Sequence, residues 1–182
     1  MVSDESLIAA IRGAGDRAAL EELVGRHLAQ VRRAVAQMVL DEAAADDVTQ
    51  EVFLRAIRGL AGFDGRARFS TWLLRIAMNT AVTHLQRASR IRTTHPETAL
   101  DEVPGASAAP DERLLARERA DDVQRAVGQL SPSLRAALVL TALQGVSPAE
   151  AAEIEGCSVS TMYWRIHEAR KQLRERLKEH LP

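Results

Sequence analysis

Residues 94–113, THPETALDEVPGASAAPDER, carry three prolines, a glycine and several small or acidic residues, and no periodic apolar face. A stretch of this composition cannot bury an apolar face and reads as a tether. Any fold must therefore be assembled from what lies on either side of it. Before it, Leu7, Ile8 and Ile11 recur at helical spacing, and Gly13 and Gly15 break the pattern. Leu20, Leu23, Val24, Leu28, Val31 and Val35 follow at three- and four-residue steps. A third helix is predicted over Ala43–Leu60, a loop over Gly59, Gly62 and Gly65, and a fourth helix from Thr71 to about Ser89, with Ser70 as its N-cap. Helicity resumes near Glu112. The prediction is an all-α chain: a helical bundle over 1–92, a flexible acidic linker over 93–111 and a second small helical domain over 112–182.

The second half has its own punctuation. Ser131 can cap a helix with Pro132 at its first position, and Gly145 can end it. Ser147-Pro148-Ala149-Glu150 has capping-box spacing, Gly156-Cys157-Ser158 makes a tight turn, and a long basic helix follows from about Val159. A short helix, a tight turn and a longer basic helix form the helix-turn-helix layout, whose second helix presents its N-terminal residues to base edges in the major groove. Those residues are Ser160, Thr161, Tyr163, Trp164, His167 and Glu168, with Arg165, Arg170 and Lys171 placed for phosphates. An αα-hairpin of purely structural value has a similar pattern.

The formal net charge is −1, but the charges are segregated. Asp41, Glu42, Asp46, Asp47 and Glu51 form a block without a basic residue. From Gly65 to His95 there are Arg66, Arg68, Arg75, Arg87, Arg90 and Arg92 and no acid. The C-terminal helix adds a second basic block. Segregation of this kind suggests separate partners for separate faces, although a charge run is also what a solvated helix face looks like. The six aromatics fall in two groups: Phe53, Phe63, Phe69 and Trp72 beside the first basic stretch, and Tyr163–Trp164 in the second. Rings among arginines suit single-stranded nucleic acid, where bases stack and phosphates meet cations. Phe53 and Phe63 read as core.

Other classes find little support. One cysteine, Cys157, permits no intrachain disulfide and reads as a small buried turn residue. The start MVSDESLIAAIRG does not read as a signal peptide, and the longest apolar stretch, Ala136–Leu143, is far short of a span. A cytoplasmic protein without membrane insertion is expected. His27, His84, His95, His167 and His180 are scattered, and neither a phosphate loop nor a nucleophile–base pair is recognisable. No enzyme activity, metal or cofactor is expected.

Taken together, AADDVTQEVFLRAIRGLAGFDGRARFSTWLLRIAMNTAVTHLQR and GQLSPSLRAALVLTALQGVSPAEAAEIEGCSVSTMYWRIHEARKQLRERL resemble regions 2 and 4 of the bacterial extracytoplasmic-function (ECF) sigma factors. The resemblance covers nearly the whole chain, and the paired motifs are far more specific than either alone. It implies an RNA polymerase specificity subunit. Asp46, Asp47, Gln50, Glu51 and Leu54 would meet the clamp of the core polymerase beta-prime subunit, and region 4 the beta flap. Arg66, Arg68, Phe69, Trp72, Arg75, Asn79 and Arg87 would handle the melted −10 strand, with Asn79 beside a pocket for a flipped base. Phe69 and Trp72 would either stack on bases or shape that pocket. The recognition helix would read double-stranded −35 DNA. The linker acids Glu97, Asp101, Glu102, Asp111 and Glu112 would either mimic nucleic acid in a basic channel or simply solvate the tether. An anti-sigma factor is implied by analogy.

Departures from the family pattern are also visible. Where TVKSRLHRAR is common, this chain has TMYWRIHEAR, so that Tyr163 and Trp164 replace Lys and Ser and Glu168 replaces a basic residue. A glutamate can accept from a cytosine amino group and an aromatic can touch a thymine methyl, which points to an unusual −35 preference. Thr83–His84 stands where an Asp–His pair is common. The competing reading is a free-standing helix-turn-helix regulator of duplex operators, which would have no need of the acidic block followed by GRARFSTWLLRIAMNT.

Overall fold

A computed structural model describes residues 2–94 and 121–178, and among these residues there is no strand. Helix α1 (Asp4–Ala14) is capped by Ser3, whose hydroxyl accepts the Ser6 N–H at 3.2 Å, and ends at Gly15 in the left-handed region. Helix α2 (Arg17–Val39) starts on Asp16, which accepts from the N–H groups of Ala18 and Ala19. Helix α3 (Glu42–Gly59) starts on Asp41 and runs into a single 3₁₀ turn, Leu60–Gly62. Helix α4 spans Phe69–Thr94. Its first hydrogen bond runs from the Trp72 N–H to the Arg68 carbonyl, so Ser70 lies inside the helix and is not its cap. The helix also passes the expected boundary at residue 92, whereas 95–111 of the expected linker lies outside the described residues.

In the second half, α5 occupies 121–128 and α6 spans Pro132–Leu138. Pro132 sits at the start of α6, but Ser131 makes no capping bond there. The last turn of α6 widens into a π turn over Val139–Leu143, closed by the Gln144 N–H on the Val139 carbonyl at 2.9 Å. Helices α7 (Pro148–Glu155) and α8 (Val159–Leu177) follow. Ser147 and Ser158 cap them, and Gly156 at φ 63° makes the turn between them.

Helices α2, α3 and α4 pack on one another around Val31, Val35, Met38, Val52, Leu73 and Met78. Each such side chain contributes about 1.5–3 kcal/mol by leaving water. The core does not stop at the end of this bundle. Val139, Leu140, Ala151, Ile154, Met162 and Ile166 of the second half belong to the same buried cluster. A smaller cluster of Val127, Leu130, Leu134, Leu138 and Ala169 receives Leu40 from the end of α2. Leu40 is the one non-glycine with positive φ among the described residues, at 61°. That conformation costs an L-residue roughly 1–2 kcal/mol and is held by this packing.

Polar contacts stitch the halves together as well. Arg135, only 6% exposed, donates to the Met38 carbonyl at 2.6 Å and to the Gly128 carbonyl. Gln124 donates to the Leu40 carbonyl at 3.2 Å, and Gln144 to the Gln37 side chain at 2.8 Å. Met38 lies in the last turn of α2 and Leu40 is its C-cap, where carbonyls lack helical partners and donors or cations are favoured. The second half thus caps the C-terminal end of α2.

Candidate nucleic-acid interface

Helix α8 turns Met162, Ile166 and Ala169 inward. The opposite face carries Ser160, Tyr163, Trp164, His167, Arg170 and Lys171, all exposed. Tyr163 and Trp164 are 59% and 61% exposed, in a chain with only six aromatics. Two large rings left in water are uncommon away from a binding surface. Thr161 is partly covered and its hydroxyl meets the Ser158 hydroxyl at 2.8 Å; Glu168 accepts from Gln172 at 2.8 Å. The cationic face continues through Arg174 and Lys178 beyond the residues expected from the sequence. Their helical spacing from Lys171 is the signal that identifies them. Tyr163, His167, Arg170, Lys171 and Arg174 line a groove of about 590 Å³ on this face.

Arg165, one of the expected phosphate contacts, is held in an ion pair. It points back across the turn and donates to Glu155 at 3.2 Å, with both side chains largely covered (21% and 12% exposed). The pair braces α7 against α8. Burial pushes the Glu155 carboxyl pKa above its ordinary value, and the Arg165 charge opposes that shift. Because the native state then holds this proton more tightly than the unfolded chain, stability falls as pH rises from the ordinary glutamate range through the raised native value. Glu155→Gln is expected to abolish this dependence. Urea unfolding at successive acidic pH values measures it, and a wild-type–variant difference that is flat with pH would count against it.

On the first half, Arg66, Arg68, Arg75, Asn79 and Arg87 are exposed along α4 and the loop before it. Arg66 is paired at 3.1 Å with Asp64, just outside the acid-free stretch. Phe69, 5% exposed, stands edge-on to His27 at 5.2 Å and to Phe63 at 5.8 Å. It therefore supports the start of α4 from within the core and offers no face for stacking. Trp72 is half-buried, tilted over Phe63 and Phe69 at 5.3 and 5.6 Å, and lies against Gly59, where an added Cβ would stand 3.4 Å from the indole. Thr83 donates to the Asn79 carbonyl at 2.7 Å, an intrahelical bond that accounts for its side chain.

The acidic block is less isolated in space than in sequence. Arg32 of α2 reaches across to Asp46 at 2.7 Å and Glu42 at 2.9 Å, and Arg55 pairs with Glu51 at 2.7 Å. The Arg55 hydrogen bond holds the Glu51 carboxyl below its usual pKa. Asp47, Gln50 and Leu54 remain exposed. Leu54 and Ile57, at 42% and 41%, form an apolar strip beside the acids. No cluster of three His, Cys, Asp or Glu side chains suited to a metal occurs among the described residues, and none of their helices is long and apolar enough to cross a membrane.

The second half covers part of this basic stretch. Thr71 is buried and donates to Glu150 of α7 at 2.7 Å, and the Arg75 guanidinium donates to the Glu153 carbonyl. The other basic side chains named above and the outer face of α8 stay open to solvent.

Comparison with known proteins places the chain in a family. Residues 23–91 match the family model described as Sigma-70 region 2, and residues 120–173 match Sigma-70, region 4. The chain is 34% identical over 182 residues to the ECF RNA polymerase sigma factor SigE of Mycolicibacterium smegmatis, covering 98% of this chain and 70% of the relative. It is also 34% identical over 179 residues to the ECF RNA polymerase sigma-E factor of Escherichia coli K12, covering 94% and 93%. Among solved structures, CnrH in complex with the cytosolic domain of CnrY matches with a TM-score of 0.68 at 30% identity, over 97% of this chain and 99% of that one. The sigma factor RpoE of Bartonella quintana, solved with the anti-sigma factor NepR, shares the fold with a TM-score of 0.67 at 23% identity, over 87% and 96%.

Proposed function

The chain belongs to the ECF sigma factors of the sigma-70 family and serves promoter-specific transcription initiation, and from that premise we propose how its surfaces divide the work. Region 2, taken as residues 1–92, binds core RNA polymerase and the melted −10 strand. Region 4, taken as 112–182, reads duplex −35 DNA and meets the beta flap, and 93–111 links them. Asp46, Asp47, Gln50, Glu51 and Leu54 dock on the clamp, the acids orienting the encounter and the apolar strip supplying affinity. Arg66, Arg68, Arg75 and Arg87 hold strand phosphates, Asn79 bonds the edge of a flipped base, and Phe69 and Trp72 shape the pocket. Ser160, Tyr163, Trp164 and His167 meet bases, while Arg170 and Lys171 meet phosphates. The protein itself carries no catalysis and acts in the cytoplasm. An anti-sigma factor controls it, by analogy with RpoE, which was solved with the anti-sigma factor NepR.

The observation that carries this reading is one chain bearing both an exposed recognition helix and the exposed α3–α4 surface. A regulator of duplex operators needs only the first. Asn79 is exposed and free of core packing, so Asn79→Ala is expected to leave the fold and polymerase binding intact. It should lower promoter opening by roughly ten- to a hundredfold, the loss of one or two base-edge hydrogen bonds. Permanganate reactivity of −10 thymines in the holoenzyme–promoter complex reads this directly. Wild-type opening by the variant would remove Asn79 from the site.

A further inference from the structure

Helix α1 precedes residues 23–91, the stretch that matches region 2, and none of its residues is among those assigned to polymerase or DNA. Its middle is ordinary core: Leu7 and Ile8 are buried, and Ala10 and Ile11 pack beside them. Its two ends reach further. At the C-terminal end, the Arg12 guanidinium spans the 3₁₀ turn that follows α3. Nε donates to the Leu60 carbonyl at 2.9 Å, and Nη2 donates to the carbonyls of Leu60 and Phe63. A planar fork on two carbonyls fixes direction as well as distance, and its charge strengthens each bond. At the N-terminal end, the Asp4 carboxylate meets His27 Nε2 at 2.8 Å and Arg26 at 3.0 Å. His27 in turn stands edge-on to Phe69.

Phe63 and Phe69 are the two ends of one loop. Between them Gly65 takes a φ of 74°, and Arg66 and Arg68 are exposed. The exit is fixed by rings, with Phe69 packed among His27, Phe63 and Trp72. At the entry the Phe63 ring is buried, and its carbonyl, which sets the direction in which the chain leaves, accepts from Arg12. We propose that Arg12 is a positioning residue for reading the −10 base: it fixes the entry of the 63–68 loop against an exit already fixed at Phe69, and so keeps the loop in register with the α4 residues that meet a flipped base. The role rests on the assignment of this loop and Asn79 to the melted strand. Arg12 acts through the backbone and touches no DNA. Phosphate and base contacts then respond differently to its loss. The long side chains of Arg66 and Arg68 can follow a phosphate as the loop shifts, so affinity survives. A base edge is read only by groups held in a fixed geometry, so discrimination does not.

The test is a selection. Holoenzyme made with each full-length chain binds a pool of single-stranded DNA with a randomised centre, and the retained strands are sequenced. Wild type should enrich a preferred base at one position or more. Arg12→Ala should bind the pool within about twofold of wild type, yet cut that enrichment by about tenfold at one of them. Loss of the Arg12 bonds also costs stability, so Ile8→Val is the control. It removes one buried methyl group from the same helix, lowers Tm by a few degrees and leaves the loop entry alone. Its base preference should match wild type. Full preference in Arg12→Ala would overturn the inference. So would an equal loss in Ile8→Val, which would tie base reading to stability in general. A wild-type holoenzyme with no base preference would remove the strand assignment itself, and the inference with it.

Discussion

Leu54→Arg on α3 is expected to leave the fold intact and weaken binding of core RNA polymerase by at least about thirtyfold, the loss of one interface anchor worth ~2 kcal/mol or more. Leu54 is 42% exposed and lies outside the buried core, so an arginine there displaces no packed neighbour. An exposed leucine beside Ile57 and among acids is poorly explained by folding alone. At the centre of a docking face it becomes the buried anchor that the acids surround. The charge change adds to the loss, because an arginine opposes the negative potential of Asp47 and Glu51 that would steer docking. Thermal unfolding and titration of labelled core polymerase separate the two effects. An unchanged Tm with wild-type affinity would remove this face from the interface.

Arg135→Ala acts on stability. The guanidinium is 6% exposed and has no carboxylate partner; the Met38, Gly128 and Leu130 carbonyls accept from it. Burial lowers its pKa, a sign of how much solvation those carbonyls must replace. Removing it leaves buried acceptors unpaired, each worth about 1–3 kcal/mol, and opens a cavity between the halves. A loss of about 3–5 kcal/mol is expected, a large part of the ~5–15 kcal/mol available to a domain of this size. Urea unfolding followed by circular dichroism measures it. A loss below about 1 kcal/mol would mean that water replaces the guanidinium without cost and that the halves do not depend on this residue.

Local features were legible in the sequence because they depend on near neighbours. The cap at Ser147, the turn at Gly156 and the start of α3 near Ala43 follow from chemistry within a few residues, whereas the caps expected at Ser70 and Ser131 do not form. The exposed Tyr163–Trp164 pair is local too, since inward-facing Met162 and Ile166 leave those rings nowhere else to point. What escaped depends on partners far along the chain. Arg32 neutralises part of an acidic block that looks unopposed from Asp41 to Glu51, because α2 runs alongside α3. Arg165 pairs with Glu155 across the turn, where a count of basic residues places it on DNA. The sequence leaves Phe69 open between stacking on bases and shaping the pocket, and only His27 and Phe63 around it show that the ring is buried. The tether composition of 94–113 predicts two helical domains, and nothing in it shows that one buried cluster takes in both Val35 and Met162. Composition of a linker says nothing of how the bodies at its ends pack.

The most direct measurement is transcription by core RNA polymerase supplemented with this protein, on a pool of random promoter fragments, with the transcripts sequenced. The account predicts initiation dependent on the protein, from fragments sharing two short elements at fixed spacing, and lost with Leu54→Arg. An absence of initiation, together with tight salt-dependent binding of the protein alone to duplex fragments carrying a single element, would contradict it.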